Sequence, residues 1–409
     1  MRLRSVSFVC ALVLGIVANQ AIASGVKVAP YGTTKDGRPV NAFTLFNDKG
    51  ASVTVLDYGG TIAAIRVPDR NGKIGNVAMS FSDLSGFESP NHWTNADIGR
   101  YANVILHGFT LDGVKYALPM DARGTTMHSG PETWARRIWI AEPIQPKDGA
   151  SLTLMMDSPD GDQGFPGHAV VKVTYTFNNQ NELKLEWNAT VDKPSPINLT
   201  NHLYLNLNGN STTPVCDEDM QVMTDQAANQ VQERPGANGE IGSVIGTPFD
   251  FTKPTVLKDR LAICSSQFSM GRPQPGAARP ARPPVPAGMT VSFNEPFILH
   301  DEDRRLDRVA ARLHDPASGR IMELRTTELS VHVYTPFAME PTLTSDVGKP
   351  FVRVPSIAFE TQHLPDSPNH PEYPTVILRP GEKFHSATIF AFSTDAKSGQ
   401  KAAAKHSPR

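Results

Sequence analysis

The chain has 409 residues, of which 39% are hydrophobic and 20% charged, with a formal net charge of -2. That apolar content is ample for a sizeable buried core. The near-neutral balance argues against nucleic acid, whose binders carry a basic face, and suits a neutral substrate better than a polyanion.

The N-terminus reads as a targeting segment. Arg2 and Arg4 give a positive start, an apolar run covers 6–18, and Ala21-Ile22-Ala23 has the form of a cleavage site. The run is shorter than the ~20 residues needed to span a bilayer. The expectation is a signal peptide at 1–23, removed after Ala23, and a mature chain that is periplasmic or secreted. A buried N-terminal strand and an uncleaved anchor are the alternatives. No later apolar run is long enough for a membrane helix, so no membrane association is expected after cleavage. Cys10 would leave with the leader. Cys216 and Cys264 remain, as a disulfide in an oxidising compartment or as two buried thiols.

Strand signals dominate the rest. Residues 168–179 place Ala169, Val171, Val173, Tyr175 and Phe177 on one face. Residues 181–191 do the same with Leu183, Leu185, Trp187, Ala189 and Val191. The Asn178-Asn179-Gln180-Asn181 turn between them predicts a hairpin with one buried face. Shorter strands are expected at 52–57, 151–157, 320–325, 330–335 and 386–392. Sustained helical periodicity is scarce, so the fold class is all-β, a β-sandwich domain over 24–395. Within it, 271–288 is rich in Pro, Ala and Arg and reads as a loose loop, and 396–409 as a disordered tail.

The densest polar cluster is 198–207. Alternation along one strand puts Asn198, Thr200, His202, Tyr204 and Asn206 on a common face. Such a face is either solvent-exposed or lines a site for a polyhydroxylated ligand, because burying it without partners is costly. A second cluster begins at Glu360, read as the end of an apolar strand 357–359. Prolines at 365, 368, 371 and 374 then suggest a polyproline II segment. Smaller clusters are 99–103 (Gly-Arg-Tyr-Ala-Asn) and 127–130 (Met-His-Ser-Gly).

Taken in order, Gly99–Asn103, His128–Gly130, the Ser158-Pro159-Asp160-Gly161 and Gly164-Phe165-Pro166-Gly167 stretches, the Asn-Leu-Thr-Asn-His motif from Asn198 and the Glu-Thr-Gln motif from Glu360 resemble the aldose 1-epimerase (galactose mutarotase) family. The resemblance implies a large antiparallel β-sandwich with an open sugar cleft. It implies interconversion of the α and β anomers of a free aldose of the glucose and galactose class, with no cofactor and no metal. Carried over by position, Glu360 matches the base and His202 the acid. His128, Asn103, Tyr204, Asn294 and His332 fall on binding positions. The expected partner is a small monosaccharide, and the assembly a monomer or dimer.

Three binding positions depart from the family pattern. Val104 follows the Ala-Asn pair where an arginine is usual, Asn294 stands for an Asp, and His332 for a Gln. The acid and base survive while the groups that grip hydroxyls change. Two other classes compete: a non-catalytic carbohydrate-binding protein on the same scaffold, and a metalloenzyme using His128, His202 and Glu360 as two histidines and a carboxylate.

Overall fold

The structure is a computed structural model that describes residues 24–89, 93–146, 148–230, 237–265, 268 and 284–395. The expected leader at 1–23, the tail at 396–409 and residues 271–283 of the Pro-rich segment lie outside the described residues.

Alternation along the chain translates directly into layers. The strands Ala169–Phe177 and Glu182–Val191 pair antiparallel, with Tyr175 opposite Leu185 and Val173 opposite Trp187. All ten of the expected apolar positions are buried. The turn forms because Asn178 Oδ1 accepts the main-chain N–H of both Gln180 and Glu182, at 2.9 Å each. Asn181 takes the left-handed conformation (φ 61°) that Asn tolerates. This hairpin sits inside a nine-stranded antiparallel sheet that also holds Ala150–Ser158, Arg320–Thr326 and Phe384–Thr394. Its apolar face closes one side of the main core, where burial contributes roughly 1.5–3 kcal/mol per large side chain.

The opposing wall comes from a five-stranded sheet of consecutive strands, Gly25–Thr33 to Ile74–Asn76, and from a six-stranded sheet. The order in the latter is Tyr204–Leu205, Ile357–Gln362, Ser330–Tyr334, Asn294–Ile298, Gln226–Gln230 and Ala237–Ser243. Phe297, Val331, Val333, Ile357 and Phe359 point from it into the same core. Residues one step along these strands point to the other side, and among them are Asn294, His332, Tyr334 and Glu360. The result is the expected all-β sandwich.

Three local expectations are corrected. Residues 198–207 do not form one strand. They make two short pieces, Thr200–Asn201 and Tyr204–Leu205, paired with different partners, Asp97–Ile98 and Ile357–Gln362. Both faces are buried, because layers cover each side. Glu360 does not end its strand. Ile357–Gln362 runs past it, and its neighbour pairs as far as Ser330 opposite Gln362. The proline-rich stretch is not polyproline II. Asp366 is left-handed (φ 59°) and caps a short turn, Ser367–Asn369. Its carboxylate accepts from Leu106 N at 3.0 Å and Asn369 Nδ2 at 2.7 Å, so tertiary bonds fold the segment back. Cys216 and Cys264 form a disulfide with Cα atoms 5.8 Å apart.

Candidate active site

The second face of the six-stranded sheet carries the site. Strand register places His332 directly opposite Glu360, and Tyr334 between Asn294 and Ala358, with Tyr204 beyond Ala358 at the edge. Directly opposed side chains stand ~4.5–5.5 Å apart, so residues from Tyr204 to Glu360, far apart in sequence, become neighbours.

His202 enters from the break between the two short pieces. Its Nε2 lies 3.5 Å from Glu360 Oε1. Its ring stacks on Tyr204 at 4.7 Å and meets the edge of Tyr334 at 6.0 Å. Asn95 fixes the backbone on both sides of it. The Asn95 N–H donates to the His202 carbonyl at 2.9 Å, and Asn95 Oδ1 accepts the Tyr204 N–H at 2.9 Å. Asn95 Nδ2 is spent on the carbonyls of Ile62 and Met79. Behind this layer, Asn201 Nδ2 and the Tyr175 hydroxyl donate to the two oxygens of Asp97, at 2.8 and 2.5 Å. Burial pushes the Asp97 carboxyl well above its usual range, even against those two bonds.

Asn103 and His128 face each other at the end of a small ladder, Val104–Leu106 against Thr125–Met127. Asn103 (φ 65°), His128 (φ 47°) and Ser129 (φ 69°) are all left-handed. Such residues cost roughly 1–3 kcal/mol each and persist only where surroundings over-determine them. Here the His128 N–H donates to the Asn103 carbonyl at 2.9 Å, and Ser129 Oγ accepts the Tyr101 N–H at 2.7 Å. The Asn103 N–H in turn donates to His128 Nδ1 at 3.1 Å. The amide of Asn103 reaches His332 Nδ1 at 3.4 Å, and His332 Nε2 meets Asn294 Oδ1 at 2.9 Å.

The electrostatics are those of a dry site. Glu360 is 2% exposed, and burial raises its carboxyl to about 8. Burial lowers His128 and His332 to about 3, so both are neutral at working pH. Tyr204 and Tyr334 are pushed up, first by burial and then by nearby charge, and remain protonated donors.

All seven residues named from sequence meet here: His202, Glu360, Asn103, His128, Tyr204, Asn294 and His332. Sequence reading missed Tyr334, which the period-two pattern from His332 could have supplied. It also missed Asn95 and Asp97, for which no local pattern exists. Two arginines in the sequence around Val104 are committed elsewhere. Arg100 is buried against the carbonyls of Ser158, Pro166 and Gly167, and exposed Arg123 pairs with Asp121.

Donor atoms of His128, His202 and Glu360 lie within 4.8 Å of one another, close enough to surround a cation. The tautomer works against that use. His128 Nδ1 already accepts the Asn103 N–H, so the ring proton sits on Nε2. Neither nitrogen offers a ready lone pair. The arrangement is suited instead to moving protons on and off a neutral ligand.

Residues 41–391 match the model of the family described as Aldose 1-epimerase. Galactose mutarotase of Rattus norvegicus is 33% identical over 358 residues, covering 87% of this chain and 95% of the relative. Aldose 1-epimerase of Escherichia coli K12 is 29% identical over 360 residues, covering 87% and 96%. Among solved structures, galactose 1-epimerase from Lactobacillus acidophilus superposes with a TM-score of 0.73 at 23% identity, covering 90% of this chain and 98% of that one. An aldose epimerase homologue from C. elegans gives 0.72 at 24% identity, covering 91% and 99%.

Proposed function

Since the chain belongs to the aldose 1-epimerase family, we propose that it interconverts the α and β anomers of a free aldose by ring opening and closure. The relatives' names assign that class of activity to them. The observation that carries the reading for this chain is the Glu360–His202 pair: a buried carboxylate raised to about 8, with an imidazole nitrogen 3.5 Å away.

In this reading the carboxylate of Glu360 takes the proton of the C1 hydroxyl. His202 gives its proton to the ring oxygen as the C1–O5 bond breaks. The aldehyde turns about C1–C2 and O5 adds to its other face. The protons return, and nothing is consumed. A general base works best with a pKa near the operating pH, and each such step contributes ~10²–10⁴-fold. An ordinary carboxylate would be too weak a base, so the desolvation of Glu360 has a purpose. His128, fixed with its proton on Nε2, is a neutral donor suited to the ring oxygen. Asn103, Tyr204, Asn294 and His332 line the remainder of the sugar's contacts. The neutral balance of the site fits a neutral monosaccharide. The leader-like N-terminus supports a place outside the cytoplasm.

Polarimetry on freshly dissolved α-glucose tests the proposal. Acceleration of the drift to equilibrium that disappears in Glu360→Gln supports it. Binding of sugar without acceleration would instead identify a non-catalytic carbohydrate-binding protein.

A further inference from the structure

The anchor of His202 reaches through the core to the opposite sheet. Asp97–Ile98 pairs antiparallel with Thr200–Asn201, with Asp97 opposite Asn201. The ladder continues at His202, whose N–H donates to the Ala96 carbonyl at 2.9 Å and whose carbonyl accepts the Asn95 N–H at 2.9 Å. The amide of Asn201 donates both its protons here, to the Asn95 carbonyl at 3.1 Å and to Asp97 Oδ1 at 2.8 Å. The other oxygen of Asp97 meets the hydroxyl of Tyr175 at 2.5 Å. Tyr175 belongs to the strand Ala169–Phe177 of the nine-stranded sheet, so a line of polar contacts leads from that sheet to the residue before the proposed acid.

The protons available along this line bear on the state of Asp97. The Tyr175 hydroxyl has one proton and two oxygen neighbours, Asp97 Oδ2 at 2.5 Å and the Gly60 carbonyl at 2.8 Å. A carbonyl can only accept. If Tyr175 gives its proton to an ionised Asp97, the Gly60 carbonyl receives none. If Asp97 carries a proton of its own, Asp97 donates to Tyr175, Tyr175 donates to Gly60, and each contact is a hydrogen bond, as is the rule for buried polar groups. The surroundings favour the second arrangement. Asp97 and Tyr175 are buried, and the groups acting on the carboxyl are Tyr175 and Asn201, with no cation among them. Burying an unpaired carboxylate is far costlier than burying a neutral acid. The seat is close-fitting as well: any Cβ on Gly60 (φ 59°) would collide with Asp97 Oδ2.

We propose that Asp97 is a positioning residue for His202, acting through Asn201 as a neutral carboxylic acid. On the epimerase reading, on which this role rests, His202 gives up and regains a proton in every exchange. A carboxylate at this place would favour the imidazolium and oppose release of the proton. A neutral acid holds the main chain around His202 in the same way whichever charge state the ring is in. Asp97 itself touches no substrate.

Infrared spectroscopy of the parent protein reads the proton directly. Burial also raises Glu218, Glu295 and Glu360, so the signal is the difference between the parent and Asp97→Asn at neutral pH. The expected difference is a protonated-carboxyl C=O band that the substitution removes. Loss of carboxylate bands instead overturns the neutral form. Polarimetry on glucose tests the role. Asp97→Asn keeps the shape and the absence of charge and should retain a kcat close to that of the parent. Asp97→Ala removes the support of Asn201 and should lower kcat at least about tenfold with little change in KM. Parental kcat in Asp97→Ala, or a loss in Asp97→Asn as deep as in Asp97→Ala, overturns the positioning role. Should Asp97→Ala not fold, Asn201→Ala breaks the same link from its other end and is scored in the same way. A parent protein that exchanges no sugar overturns the epimerase reading and the role together, while the infrared difference still reports the state of Asp97.

Discussion

The main-chain N–H of Asn103 donates to Nδ1 of His128 across 3.1 Å, leaving the ring proton on Nε2. The side-chain amide of the same asparagine does the same to His332. Its Oδ1 is held by the Val104 N–H at 3.0 Å, which turns Nδ2 toward His332 Nδ1. His332 then donates from Nε2 to Asn294 Oδ1 at 2.9 Å. One residue therefore sets both histidines as neutral donors, in a row of groups that carries no charge.

Glu360→Gln keeps the shape of the base and removes its function, so the exchange rate should fall by ~10² or more. His202→Asn should fall similarly, and the double variant little further, because groups acting as a unit are non-additive. Near-normal exchange by Glu360→Gln in a polarimetric assay would remove Glu360 from the mechanism.

The base should show itself in the pH profile. With Glu360 as the proposed base, kcat/KM should rise with pH on a limb displaced upward from the carboxylate range toward about 8. His128 and His332, lowered to about 3, should contribute no limb near neutrality. A limb centred near 4.5 would show that the carboxylate is not desolvated in the free enzyme.

Stability should move oppositely to activity. A carboxyl raised from 4.5 to about 8 in the folded protein stabilises fully below 4.5, and that contribution is lost as pH rises through 8. Glu360→Gln should thus become more stable than the parent as pH rises from 4.5 to 8, by at most roughly 4–5 kcal/mol. The two lowered histidines act the other way. Their contribution is present above 6.5 and lost as pH falls toward 3. Denaturant midpoints across pH 4–9 measure both, and a Glu360→Gln difference that is flat with pH would contradict the first.

The Asn294–His332 bond gives a spectroscopic test. Asn294→Asp would set a carboxylate against His332 Nε2 and favour the imidazolium, raising the His332 pKa from about 3 toward neutrality. Nitrogen-15 NMR of the imidazole should record the upward shift. An unmoved titration would mean the two side chains are not in contact in solution.

Specificity should follow the same row of neutral groups. With Val104 and Asn294 in place of an Arg and an Asp, galactose should be used less well than another aldose in a panel of glucose, galactose, xylose and arabinose. Replacing both charges together avoids an unpaired buried charge. Val104 is fully buried, so Val104→Arg alone should destabilise, while Val104→Arg with Asn294→Asp should improve kcat/KM for galactose. Galactose as the best substrate of the parent would end this account.

Export and the disulfide are testable on one sample. Intact mass under non-reducing conditions should correspond to a chain starting at Ser24 with Cys216 and Cys264 joined. The loop spans 48 positions, for which the chain-entropy model gives ~4 kcal/mol. Replacing both cysteines by serine should lower the denaturation midpoint accordingly. Two alkylatable thiols in exported protein would exclude the bridge.

The amino-acid sequence by itself determined the layers and the chemistry on offer. Alternation at 169–177 and 182–191 specified which side chains enter the core, since strand periodicity is a local property of the backbone. The order of the motifs around Asn103, His128, His202 and Glu360 identified the residues of the site. What those residues can do was decided by tertiary structure. Glu360 is raised to about 8 because a covered sheet face strips it of water, and no local pattern distinguishes a strand face that is covered from one that is wet. Likewise, 198–207 alternates as a single strand should. It is broken because Asn95, 109 positions from Tyr204, takes up the backbone bonds around His202. Asn103 sets the proton on His332 from 229 positions away. Tautomers, desolvation and clamping bonds of this kind arise from contacts between distant segments, and those exist only once the layers have packed.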